Sequence, residues 1–155
     1  MKNISKHITY KEATFSATAK RKGITNSPDA VQLDNMVMVA NDCFEPARVH
    51  FDKSIFINSF FRDYTLNSVI GGSQTSQHCS MDGSAIDMDT RGQEGFTNAE
   101  LFNWLRDNVE FDQLLWEYGT ENEPDWVHIS KRKANNRGEV LRVMRIDGVT
   151  RYRKI

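Results

Sequence analysis

At 155 residues, 39% of them hydrophobic, the chain has the length of one ordinary domain and can bury a sizeable core, which predicts a single compact domain over residues 1–155. Cys43 and Cys79 are too few and too far apart to form a disulfide framework, and a reduced compartment fits them best. No apolar run reaches membrane-spanning length and the opening MKNISKHITYKEATFS lacks the apolar stretch of a signal peptide, so the expected location is cytoplasmic as synthesised. Net charge is −1, yet residues 131 to 155 hold nine Lys or Arg against two acidic residues. Such a tail can grip an anionic polymer, but its strand-like apolar residues favour a solvated hairpin of mixed character, and nucleic acid is not expected as a partner.

In chain order, residues 1 to 28 form a polar segment with a short helix that Thr9 caps and Glu12 reciprocates. His7 in this segment reads as a surface residue. Ser27-Pro28-Asp29 opens a longer helix, Pro near its first position, with an apolar stripe of Val31, Leu33, Met36, Val37, Val39, Ala40, Cys43 and Phe44. Pro46 bends or restarts this helix, and His50 lies beyond it with no carboxylate partner. Ile55 to Ser59 reads as a buried strand leading to Phe60-Phe61-Arg62. Leu66 to Ile70 forms a short helix closed by Gly71-Gly72, and Ser73 to Ser76 make a polar loop able to bind substrate backbone.

The run Ser84 to Asp89 alternates small or polar with apolar residues, the pattern of a strand with Ala85, Asp87 and Asp89 on one face and Ile86 and Met88 in the core. A loop follows from Thr90 to Phe96. Thr97-Asn98-Ala99-Glu100 is a capping box that launches a helix through about Asn108, burying Leu101, Phe102, Trp104 and Leu105. Phe111 to Tyr118 and Trp126 to Ile129 read as strands, separated by an acidic turn, and Lys131 to Gly138 as a basic loop. Asp147-Gly148 marks a two-residue hairpin within a basic C-terminal unit over residues 139–155. The whole is α+β, helices first, with a mostly antiparallel sheet.

The chemistry concentrates in Gly72 to Asp89 and in Pro124 to His128. Of the four histidines, one sits in each segment beside carboxylates. His78, Asp87 and His128 would give a catalytic zinc three ligands and leave a fourth position open. Asp125 precedes His128 by three residues, which in a strand puts the two on opposite faces, so their convergence requires a bend after Pro124. Spacing alone leaves an ordinary reading open, with His78 in a loop, Asp87 capping a turn, His128 in a strand and Arg62 in a surface ion pair. A calcium site at Asp82, Asp87 and Asp89 does not fit the EF-hand pattern. Cys79, as the neighbour of His78, is expected to point away.

The run SQHCSMDGSAIDMD resembles the Ser-x-His…Gly-x-Ala-x-Asp motif of the zinc D-Ala-D-Ala carboxypeptidase family, whose fold is shared with the Hedgehog signalling domain. INSFFR, FDQLLWEYG with DWVHIS, and the opening NISKHITYKEAT resemble motifs of its phage and prophage branch, so the likeness spans roughly residues 3 to 130 in the family's order. The resemblance implies zinc held by His78, Asp87 and His128. It also implies Asp125 as the catalytic carboxylate and Arg62 supporting the oxyanion. Glu117 is a rival general base from its own position in the chain, ranked below Asp125, which lies nearer in sequence to a ligand and matches the family position. Ser76 belongs to the substrate-binding loop. The implied substrate is a peptidoglycan stem peptide, cut as D-Ala-D-Ala carboxypeptidase or L-Ala-D-Glu endopeptidase, in phage lysis or from a virion. One departure stands out: Cys-Ser-Met-Asp fills the interval between His78 and Gly83, where the family has two residues. That insertion leaves Asp89 as a rival to Asp87 and motivates the alternative of a non-catalytic zinc-containing wall-binding module.

Overall fold

The computed structural model describes residues 2–155. Six helices run α1 Tyr10–Ala13, α2 Ala17–Lys22, α3 Ala30–Val39, α4 Glu45–Phe51, α5 Tyr64–Val69 and α6 Asn98–Asn108. Six strands run β1 Phe56–Ser59, β2 Ser84–Asp89, β3 Gln113–Glu117, β4 Trp126–Lys131, β5 Glu139–Ile146 and β6 Val149–Lys154, forming one sheet in the order β1-β2-β4-β3-β5-β6. Neighbours pair antiparallel except β3 with β5, which are parallel. The fold is α+β with a mostly antiparallel sheet.

Local signals explain most boundaries. Asp29 and Gln32 form a reciprocal capping box that starts α3, so Pro28 sits just before the cap instead of within the first turn. Thr97 and Glu100 make the same box for α6. Pro46 has no amide proton to give to the carbonyl four residues back, and the helix adjusts by widening into a π-helical segment, Ala40–Phe44, in which the Glu45 amide bonds to the Ala40 carbonyl. α3, this segment and α4 therefore run on as a continuous but bent rod. Within it Val31, expected in the buried stripe, is 56% exposed, because the stripe that packs on the sheet begins a turn later with Met36, Val39, Ala40 and Cys43.

The two faces of the sheet have different tasks. Ile86, Met88, Leu114, Trp116, Val127 and Ile129 bury one face against Met36, Val39 and Phe44 of the rod and Leu101, Phe102 and Leu105 of α6. The other face carries only a small cluster, Leu115, Leu141 and Val143 with Tyr118 packed on it, and is otherwise polar and open. Strand alternation assigns the two sets, since successive side chains point to opposite faces.

The β4–β5 connection is held by a buried carboxylate. Asp112 is fully buried at the start of β3, where it accepts from the backbone amide, Nε and a terminal nitrogen of Arg137, and Arg132 Nε lies 3.4 Å away. Burial by itself would raise the Asp112 carboxyl; the Arg137 hydrogen bonds and the charges of Arg137 and Arg132 outweigh it and hold the group below the ordinary carboxylate range. A depressed folded value means that the stabilisation is present above the unfolded carboxylate range and is lost as pH falls through the folded value. Asp112→Ala is expected to cost about 2–3 kcal/mol at neutral pH, between an orphaned buried hydrogen-bond group and a broken buried ion pair. Denaturant unfolding across pH checks this. The wild type should lose its advantage over the variant as acid protonates Asp112, and an unchanged gap down to strongly acidic pH would refute the assignment.

Candidate metal centre

β2 and β4 pair so that Asp87 lies directly opposite His128. Antiparallel pairing at adjacent positions brings such side chains within reach on one face, and His128 Nδ1 is 2.8 Å from Asp87 Oδ1. The third residue arrives from a short 3₁₀ turn, Gln77–Cys79, which places His78 Nε2 at 3.2 Å from the same carboxylate oxygen. The chain leaving β1 fixes that turn from both sides. His78 Nδ1 lies 2.7 Å from the Phe60 carbonyl, and the Arg62 amide donates to the His78 carbonyl at 2.9 Å. A carbonyl only accepts, so Nδ1 must carry the proton, which leaves a lone pair on Nε2 toward Asp87.

Among the described residues, His78, Asp87 and His128 form the group whose ligand atoms lie within 4.8 Å of one another. His78 and Asp87 are buried, and 12% of the His128 side chain is exposed. Burial pushes the His78 ring toward its neutral form. Burial would raise the Asp87 carboxyl, but the charge and hydrogen bonds of His78 and His128 when protonated outweigh it and lower the group. A neutral imidazole and an ionised carboxylate are the states in which these groups bind a metal. Two imidazole nitrogens and a carboxylate oxygen suit zinc and leave a position free toward the open face. The hydrogen bond from His78 Nδ1 to Phe60 is the outer support that ligating imidazoles use to hold their orientation.

The four residues of the lengthened interval, Cys79 to Asp82, do not line the cavity over the site. Ser80 takes a left-handed conformation and its hydroxyl bonds Ser84 at 2.8 Å, while Gln32 and Asn35 of α3 donate to the carbonyls of Cys79 and Ser80 at 3.0 and 2.8 Å. Gly83 then passes so close to β4 that a Cβ would sit 2.2 Å from the Lys131 carbonyl oxygen, with φ at +82°, so glycine is required there. The loop is thereby folded back onto α3, and Asp87 keeps its place opposite His128. Asp89 is used elsewhere: its carboxylate accepts from Asn98 at 3.2 Å and from the Arg91 amide at 2.7 Å. Asp82 is exposed beside Arg132, so the three aspartates of the calcium reading do not converge. Cys43 and Cys79 are free, buried thiols outside the ligand group.

A cavity of about 860 Å³ opens over the metal group, and Arg62, Ser76 and Glu117 line it. Arg62 is positioned by its Nε bond to Ser59 Oγ at 2.9 Å and reaches Asp87 Oδ2 at 3.1 Å. Ser76 is half-buried at the foot of the Gly71 to Gln77 loop. Asp125 is not brought to the cavity. It is exposed, its amide bonds the Glu117 carbonyl at 2.9 Å, and β4 begins only at Trp126, so the strand geometry that sets Asp125 and His128 on opposite faces prevails. Glu117 is the carboxylate that lines the cavity together with Asp87. It shares the face of Leu115, which pairs with His128, and burial raises its carboxyl to about 7. The alternation Gln113, Leu115, Glu117 is the sequence signal that places it there.

Among the described residues no helix is long and apolar enough to cross a membrane. Compared with curated proteins, the chain matches none. The family model described as Peptidase M15 matches residues 6–130, which include the three metal-group residues, Arg62 and Glu117. With most of its length matched and a His-Asp-His group in place, this chain belongs to the peptidase M15 family of metallopeptidases.

Proposed function

We propose that the protein is a zinc-dependent peptidase that hydrolyses a peptide bond in peptidoglycan stem peptides. The observation that carries this reading is Glu117, a carboxylate raised to about 7 at the floor of an open cavity, on the same sheet face as a buried His-Asp-His group. The motifs around His78 and His128, which resemble those of the D-Ala-D-Ala carboxypeptidases, support the stem peptide as substrate. The carboxypeptidase and L-Ala-D-Glu endopeptidase modes both suit a cavity that is open and polar. Action on the wall in phage lysis, or from a virion, is the setting in which such a chain works.

His78 Nε2, Asp87 Oδ1 and His128 Nδ1 would hold the zinc. When bound, it supplies a Lewis acid for the scissile carbonyl and for the attacking water. Glu117 accepts the proton of that water and returns it to the leaving amine, a role for which a carboxyl near neutrality is well matched. Arg62 presents a permanently charged, planar donor set to the developing oxyanion, held in place by Ser59. Ser76 and the loop before it contact the substrate backbone. Asp125, facing solvent, has no part in the proton transfer. The inserted loop, packed on α3 and outside the cavity lining, gives no support to a site closed against substrate.

Glu117→Gln is expected to lose about 100- to 10,000-fold in kcat while keeping stoichiometric zinc, and Asp125→Asn to stay close to wild type. Metal content and hydrolysis of purified peptidoglycan, measured together, decide it: an active Glu117→Gln enzyme would end the proposed role. Arg62→Ala should lower kcat about 100- to 1000-fold, the usual cost of one oxyanion donor. His128→Ala should lose both zinc and turnover. Stoichiometric zinc in a wild type that cuts no muropeptide would replace the peptidase by the wall-binding module.

A further inference from the structure

The cavity extends well beyond the metal group. β3 and β4 form its floor, and toward the end of β4 it is lined by Gln77, Gln113, Arg132 and Arg137. Arg132 follows His128 by four residues, one position past the end of β4, and both line the cavity; at the rise of an extended chain the two are about 13 Å apart. An extended peptide covers that distance with about four residues. The family match stops at residue 130, so Arg132 and Arg137 belong to the portion of the chain outside it.

The two arginines are in different states. The Arg137 fork is engaged with the buried Asp112, through Nε at 3.0 Å and a terminal nitrogen, with Glu139 at 3.5 Å. Arg132 has only ion-pair contacts through Nε, at 3.4 Å to Asp112 and 3.5 Å to Asp82, and among the described residues none of these is a hydrogen bond. Asp82 is 80% exposed, and water weakens its hold. A single buried carboxylate thus lies between two guanidiniums that both line the cavity, and Arg132 is the one that keeps donors to spare. A planar fork with free donors in a partly enclosed polar pocket suits a carboxylate. The side-chain amides of Gln77 and Gln113 lie beside it, Gln113 held by Glu139 at 2.6 Å and Gln77 by the Asp82 carbonyl at 3.5 Å.

We infer that Arg132, backed by the Arg137–Asp112 pair, forms a subsite for a carboxylate of the substrate peptide three to five residues from the cleaved bond. This rests on the peptidase reading and adds a substrate requirement to it. The subsite binds without taking part in the chemistry, so its effect falls on KM.

The test uses synthetic peptides that the zinc-loaded enzyme cleaves, carrying Glu or Gln at each position from two to five residues on either side of the cleaved bond. At one position three or more residues away, Glu is expected to be favoured over Gln about tenfold in kcat/KM through KM, the scale of one charge-assisted hydrogen bond. Arg132→Gln should abolish the preference and Arg132→Lys should retain part of it. The ratio is taken within each variant, so a smaller folded fraction in Arg132→Gln does not alter it. Equal rates for Glu and Gln peptides at every such position would overturn the inference while leaving the peptidase intact, as would a preference that survives in Arg132→Gln. An enzyme that binds zinc and cleaves no peptide would overturn the peptidase reading and the subsite with it.

Discussion

The register of β2 against β4 is the constraint on which the site depends. Asp87 faces His128 because Ser84 pairs with Lys131, Ala85 with Ser130 and Ile86 with Ile129. A slip of one residue would turn Asp87 into the core and Ile86 into the cavity. Ile86, Met88, Val127 and Ile129, all fully buried, prevent it, because their burial is lost in any other alignment. The hydrophobic core therefore does more than stabilise: through strand alternation it dictates which polar atoms meet on the far side.

A second layer of control lies in the stretch Ser59 to Arg62. Within four residues it fixes the proton of His78 through the Phe60 carbonyl, ties the His78 backbone through the Arg62 amide and orients the Arg62 side chain through Ser59. Phe60 and Phe61 are buried to 1% and 2% exposure, so this stretch is anchored in the core at its centre. The His78 ring and the Arg62 guanidinium are thus set by one short piece of backbone. A loose core beneath Phe60 and Phe61 would disturb the tautomer, the turn and the guanidinium together.

Much of this was legible in the sequence, and the exceptions have physical causes. The alternation in Ser84 to Asp89 gives the strand, its buried face and Asp87's direction, and the capping box at Thr97 gives the start of α6. What could not be read were consequences of pairing between distant segments. Whether a bend after Pro124 turns Asp125 to the face of His128 is one of these, and Asp125 is exposed outside the cavity. Glu117 lies eleven positions from His128 and comes near it because β3 is the partner of β4. The effect of the inserted loop was equally hidden, since Gln32 and Asn35, which pull it aside, sit more than forty residues upstream. The parallel pairing of β3 with β5 also has no local signature, because it joins segments across the whole β4 excursion.

The outermost strands show how a six-stranded sheet avoids joining another. β1 is only four residues long and its pairing with β2 is irregular between Ile57 and Ser59, which breaks the regular ladder that a neighbouring sheet would need. β6 is fully exposed along its length but carries Arg151, Arg153 and Lys154. A second copy of this strand laid alongside would bring three more cations to an edge that already carries three, so the basic tail acts as a guard against edge-to-edge aggregation, whatever else its charges meet.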